Sequence, residues 1–104
     1  MKRVAFKLKL RPGCLKEYCR RHDEIWPEME AINRAAGIED FRIWHDPETD
    51  ILFCSQLRDS DERVAASRHE NVWLKWQGEM AEFLVTGENG LPLNTPLDQV
   101  YYMP

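Results

Sequence analysis

One periodic stripe constrains this chain more than any other feature: Leu15, Tyr18, His22, Ile25, Met29 and Ile32 recur at alternating steps of three and four residues. That spacing sets all six on one face of a helix. The face is apolar except for His22, and burying an imidazole costs free energy unless its ring nitrogens find partners. Two readings fit it. His22 is either a hydrogen-bonded core residue or, one turn beyond Tyr18, the general acid/base of a small site. Pro27 lies inside the same pattern, lacking an N–H and crowding the preceding turn. The spacing therefore predicts a helix from about Cys14 to Ala36, kinked or broken near Asp23 to Trp26 and stopped by Gly37 at the C′ position.

Elements of the opposite period flank it. Val4 to Leu10 alternates with period two, which predicts a strand with Val4, Phe6, Leu8 and Leu10 inward. Ile38 to His45 and Ile51 to Leu57 read as two antiparallel strands joined by a turn over Asp46, Pro47, Glu48, Thr49 and Asp50. Asp59-Ser60-Asp61-Glu62 opens a second helical region running to about Leu84, interrupted near Ser67 to Asn71, with Asn71 as a cap. Its apolar face is Val72, Trp73, Trp76, Met80, Phe83 and Leu84. A Gly/Asn/Pro-rich loop, 86–96, then leads to a last strand, Asp98 to Met103.

The order is β-α-β-β-α-β, an α+β ferredoxin-like arrangement with one sheet face covered by two helices. Residues 1–104 suffice for a single domain with one core. The other sheet face, toward which Trp44 and Tyr102 or their neighbours would point, must be solvated, hold a ligand or meet a second subunit. A homodimer is the expected solution.

Charge and composition narrow the partners. Fourteen basic and eighteen acidic residues give a net charge of −4, with no Lys/Arg run beyond Arg20-Arg21, which argues against nucleic acid. Apolar runs fall far short of the ~20 residues a membrane span needs. Three cysteines without a CxxC spacing, and no positive-then-apolar leader, suggest a reduced, cytoplasmic protein.

Candidate chemistry is confined to acid/base groups. Tyr18 and His22 are adjacent on their helix face, and Trp26 and Trp76 offer flat apolar surfaces on which a sugar ring could pack, although both could equally be core. His22, His45 and His69 each precede an acid, but no metal-ligand spacing occurs, so no metal is expected. No Gly-rich phosphate cradle or nucleophile elbow is present.

The run Glu17-Tyr18-Cys19-Arg20-Arg21-His22-Asp23-Glu24-Ile25-Trp26-Pro27-Glu28 resembles the signature of the L-rhamnose mutarotase family. The similarity continues through Gly37, Leu52-Phe53, Trp76 with Met80, and an aromatic end closing on Met103-Pro104. The resemblance implies a dimeric α/β barrel, free of metal and cofactor, that interconverts α and β anomers of L-rhamnose or a related deoxyhexose. It implies that His22 is the catalytic proton donor and that Tyr18 and Trp76 contact the sugar. Phe41 and Gln77 occupy two further substrate-binding positions where the family carries tyrosine and tryptophan, and Glu88 to Leu93 departs from its usual Asn-Pro-Asp-Asn-Ser-Pro loop. Because fold does not fix function, a cofactor-free monooxygenase or haem-degrading enzyme and a non-catalytic sugar-binding module stand as alternatives.

Overall fold

A computed structural model describes residues 1–104. The chain runs β1 (Lys2–Lys9), α1 (Leu15–Asp23), α2 (Pro27–Ala35), β2 (Ile38–Asp46), β3 (Ile51–Arg58), α3 (Asp61–Ser67), α4 (Asn71–Met80) and β4 (Thr95–Leu97). The expected first helix is thus two. Pro27 opens α2 at a position whose N–H has no intrahelical partner, so the proline that ends one helix starts the next. Gly37 follows α2 at φ 78, and a Cβ there would lie 2.9 Å from the Cβ of Asp59, so glycine serves both the turn and the close approach.

The second helical region also divides. The Ser60 side chain accepts a bond from the Arg63 backbone N–H at the start of α3. Glu70, in extended conformation, is the N-cap of α4, whereas Asn71 is its first helical residue and not the cap expected. Helix α4 ends at Met80, short of Leu84, although Phe83 and Leu84 remain buried in the core.

All strand pairs are antiparallel, in the order β2-β3-β1-β4 of a ferredoxin-like sheet. The helix-side rows are Phe6, Cys54 and Ile43, then Leu8, Leu52 and His45. Leu10, Tyr18, Met29, Leu52, Trp76, Met80, Phe83 and Leu84 form the main core, with Leu8, Ile25, Trp26, Ile43 and Trp73 packed against it. Of the four inward residues expected from β1, Phe6 and Leu10 are buried while Val4 and Leu8 are only half-buried.

The far face carries Lys7, Phe53 and Trp44 in one row and Ala5 opposite Leu97 in the next. Here Trp44 is 53%, Phe53 38% and Leu97 37% exposed. The last strand departs from expectation: β4 is Thr95–Leu97, and residues 98–104 make no strand. Pro96 is tolerated because β4 is an edge, while Val100, Tyr101, Tyr102 and Met103 lie exposed with no neighbouring strand to pair with.

Strand β2 contains one extra residue. Its pairing with β3 slips between Glu39 and Arg42, and Asp40 there adopts φ 47. The slip changes which residues face the helices, from Ile38 before it to Phe41 and Ile43 after it. Asp40 is held by Arg3 at 2.6 Å and Arg42 at 2.8 Å.

Candidate active site

Between the sheet and the helices lies a cavity of about 900 Å³ whose lining includes Tyr18, His22, Phe41, Trp76 and Gln77. Five side chains singled out in the sequence therefore converge, although they come from α1, β2 and α4. Trp26 does not line it. It packs edge-on against Trp76, with ring centroids 5.1 Å apart and planes at 76°, and so buttresses the cavity wall from behind.

His22 is fixed on three sides. Its ring lies 4.3 Å from the Tyr18 ring and meets Trp76 edge-on at 5.5 Å. Its Nδ1 is 3.0 Å from the Tyr18 backbone carbonyl oxygen. A carbonyl only accepts, so Nδ1 carries the proton and, in the neutral ring, Nε2 is left with a lone pair. Burial lowers the His22 pKa from its ordinary 6.5, against smaller opposing effects of the Tyr18 carbonyl and the Asp23 charge. Imidazole thus predominates at neutral pH.

Burial has the opposite effect on Tyr18, pushing its hydroxyl pKa far up and keeping it a neutral donor. The same cause raises the Cys54 thiol to about 12, which removes it as a nucleophile. Helix α1 is tied to α4 by Arg21, whose Nη1 donates to Glu79 at 2.7 Å while its guanidinium lies 5.6 Å from the Phe83 ring centroid. Glu17 engages both Arg20 and Arg21, which holds its carboxyl down at about 2.

The two remaining histidines lie outside the cavity. His45 is half-buried, with Nε2 3.0 Å from Asp50 at the hairpin, and His69 is exposed after α3. No three His, Cys, Asp or Glu side chains come together as a metal site. No helix is long and apolar enough to cross a membrane.

Asn89, in the divergent loop 88–93, lines the cavity, whereas sequence reasoning missed Gln56, Arg68, Trp73 and Asn94, which line it too. Gln56 was findable, since it continues the inward alternation of Leu52 and Cys54. Arg68 has no periodic signature.

The ferredoxin-like sheet, with a histidine, a tyrosine and an indole facing one cavity of small-molecule size, places the chain among α+β proteins with a candidate small-molecule site. The profile of the L-rhamnose mutarotase family matches residues 3–103, and the chain belongs to that family. It is 41% identical over 104 residues to the L-rhamnose mutarotase of Jannaschia sp. (strain CCS1), covering 100% of both chains. Identity to the enzyme of Burkholderia ambifaria (strain MC40-6) is 40%, again over the full length of both. The crystal structure of the L-rhamnose mutarotase from Formosa agariphila superposes with a TM-score of 0.89 at 33% identity, covering 100% of each chain. A putative antibiotic biosynthesis monooxygenase from Nitrosomonas europaea shares the fold alone, at TM-score 0.64 and 12% identity, covering 97% of this chain and 100% of its own.

Proposed function

We propose that this chain is an isomerase that interconverts the α and β anomers of L-rhamnose in the cavity, with His22 as the proton carrier. The observation that supports this most is the bond from Nδ1 to the Tyr18 carbonyl, which leaves Nε2 the reactive nitrogen. Anomer exchange removes a proton from the C1 hydroxyl, adds one to the ring oxygen and breaks the bond between C1 and that oxygen. Both oxygens are bonded to C1, so one nitrogen reaches both. Neutral His22 takes the hydroxyl proton, and the resulting imidazolium delivers it to the ring oxygen. Rotation about C1–C2 in the open aldehyde and reclosure give the other anomer, and His22 ends as it began.

The remaining side chains hold the sugar. The Tyr18 hydroxyl has no protein partner and donates to a sugar oxygen, while Trp76 provides an indole wall. Phe41 closes the β2 side beside Phe6, 6.4 Å between ring centroids, and Gln77 offers an amide. Trp26 contributes through Trp76. Polarimetry of freshly dissolved α-L-rhamnose tests the reading: the protein should shorten the approach to equilibrium rotation, and an unchanged time course would refute it.

A second copy of the chain on the far sheet face, giving a homodimer, completes the proposal. Its support is the exposed Trp44, Phe53 and Leu97 on that face, together with the unpacked apolar tail of Val100, Tyr101, Tyr102 and Met103. Sedimentation should give a dimer that Trp44→Glu dissociates; a wild-type monomer at micromolar concentration counts against it. The cytoplasm is the proposed location, consistent with Cys14, Cys19 and Cys54 all being free thiols.

A further inference from the structure

A neutral deoxysugar leaves part of this cavity without a purpose. Arg68, at the end of α3, reaches the cavity with its guanidinium carbon 4.8 Å from the centroid of the Trp73 ring. Neither Arg68 nor its neighbour Arg58 takes part in any ion pair of the chain. Of the cavity's acids, Glu30 is held by Arg34 and Asp40 by Arg3 and Arg42, and Glu39 makes no ion pair with Arg68. Burial and the nearby positive charge of Arg58 lower the Arg68 pKa to about 10, so the guanidinium stays charged at neutral pH despite the lack of a counterion.

Two further donors share this situation. Gln56 is 2% exposed and lines the same cavity, and Arg58 Nε donates to its Oε1 at 2.9 Å. A guanidinium only donates, which fixes that end of the amide as oxygen and leaves the Nε2 protons without a protein acceptor. Trp73 Nε1 is buried and likewise has no partner. A half-buried cation and two unmatched donors make a site for an acceptor-rich anion, because an unmade bond at a buried donor costs more than a made one contributes.

We propose that this corner of the cavity takes the carboxylate of a hexuronate pyranose, so that the chain exchanges the anomers of a hexuronic acid as well as those of L-rhamnose. The geometry suits the chemistry. Trp73 and Trp76 are three residues apart on one face of α4, with Arg68 over the first and His22 against the second, so cation and proton carrier meet adjacent indoles in the same cavity. A hexuronate carries its carboxylate on C5, beside the ring oxygen and across it from C1, where L-rhamnose has a methyl group. The reaction is unchanged: the C1 hydroxyl loses a proton, the ring oxygen gains one, the bond between C1 and ring oxygen breaks and re-forms, and nothing is oxidised or reduced. The proposal rests on the mutarotase reading.

Saturation-transfer NMR on the anomeric protons of D-glucuronate, D-galacturonate, L-iduronate and L-rhamnose, each with wild-type protein, tests it. At least one hexuronate should exchange about tenfold or more faster than in buffer of the same pH. Arg68→Gln should raise the KM for that hexuronate roughly tenfold relative to the KM for L-rhamnose, the size of a lost charge-assisted bond. Arg68→Lys should recover part of the ratio, and Gln56→Leu should move it in the same direction as Arg68→Gln. Hexuronates exchanging at the buffer rate while L-rhamnose is accelerated would overturn the proposal alone. Equal changes in both KM values for Arg68→Gln would overturn it too, by marking the arginine as structural. Acceleration of D-glucose 6-phosphate but of no hexuronate would overturn the carboxylate assignment. No acceleration of L-rhamnose would overturn the mutarotase reading and the proposal with it.

Discussion

His22 Nδ1–H donates a hydrogen bond to the backbone carbonyl of Tyr18, 3.0 Å away and one helical turn back. Because the acceptor is main chain, no substitution at residue 18 that keeps the helix removes it. Tyr18→Phe should therefore preserve the His22 tautomer and the pH profile while losing one hydroxyl contact. Its kcat/KM should fall by about 3- to 10-fold, the equivalent of roughly 0.5–1.5 kcal/mol. His22→Gln should lower kcat by about 10²–10⁴-fold, the usual contribution of a positioned acid/base group. Exchange kinetics on the two variants, with circular dichroism to verify folding, separate the roles.

The lowered pKa of His22 fixes the direction of the pH dependence. Exchange should be flat from pH 7 to 8 and decline on the acid side with a midpoint below the ordinary 6.5, as protonation removes the base. Asp23→Asn deletes a charge that favours the imidazolium and should shift that midpoint further down. Stability follows the same sign: the fold favours neutral His22, so this contribution is present above pH 6.5 and is lost as pH falls through the folded-state value. Thermal melts between pH 7.5 and 5 should show Tm falling with acidification, less so in His22→Gln.

Trp26 packs edge-on against Trp76, and in the proposed function it acts on the site through that contact. Trp26→Ala should cost about 2–3 kcal/mol of stability, below the roughly 3–5 kcal/mol of fully buried aromatic truncations because the residue is only half-buried. It should also raise KM, since the Trp76 indole loses the ring that meets it edge-on. Trp26→Phe retains an aromatic edge and should restore most of both. A KM unchanged in Trp26→Ala would show that Trp76 needs no buttress.

Asp40 governs the direction of Phe41. At φ 47 the backbone suits Gly or Asn, so Asp40→Gly should keep the bulge while losing the ion pairs to Arg3 and Arg42. Asp40→Val, a β-branched residue in that region, should lower stability by about 1–3 kcal/mol and disturb the Phe41 wall. Chemical denaturation of the two variants, with KM for L-rhamnose, should rank Val as the more damaging in both.

Much of this arrangement was legible in local pattern. The three-and-four spacing around His22 marked a buried face, Pro27 marked its break, and Asp46 to Asp50 marked the hairpin, where Thr49 Oγ1 donates to Asp46 at 2.8 Å. What escaped depends on pairing rather than pattern. Residues 98–103 have the composition of a strand, yet the chain offers them no partner, while Thr95–Leu97 pairs with β1 despite Pro96. The bulge left a faint trace, since the inward apolar positions shift from Ile38 to Phe41 and Ile43, an odd step that strict alternation forbids. Trp26 looked like a cavity wall because it lies one turn beyond His22, but the break before Pro27 redirects it behind Trp76. Arg68 left no trace, because its meaning lies in the absence of a counterion.

In the proposed mechanism His22 carries the proton between the two oxygens on C1. Saturation of the α-anomeric proton of L-rhamnose, with the β-anomeric signal observed, measures that exchange directly under equilibrium. Catalytic amounts of wild-type protein should transfer saturation at a rate well above buffer, and His22→Ala, folded by circular dichroism, should return it to the buffer rate. Wild-type exchange indistinguishable from buffer, or a folded His22→Ala as fast as wild type, would contradict the account.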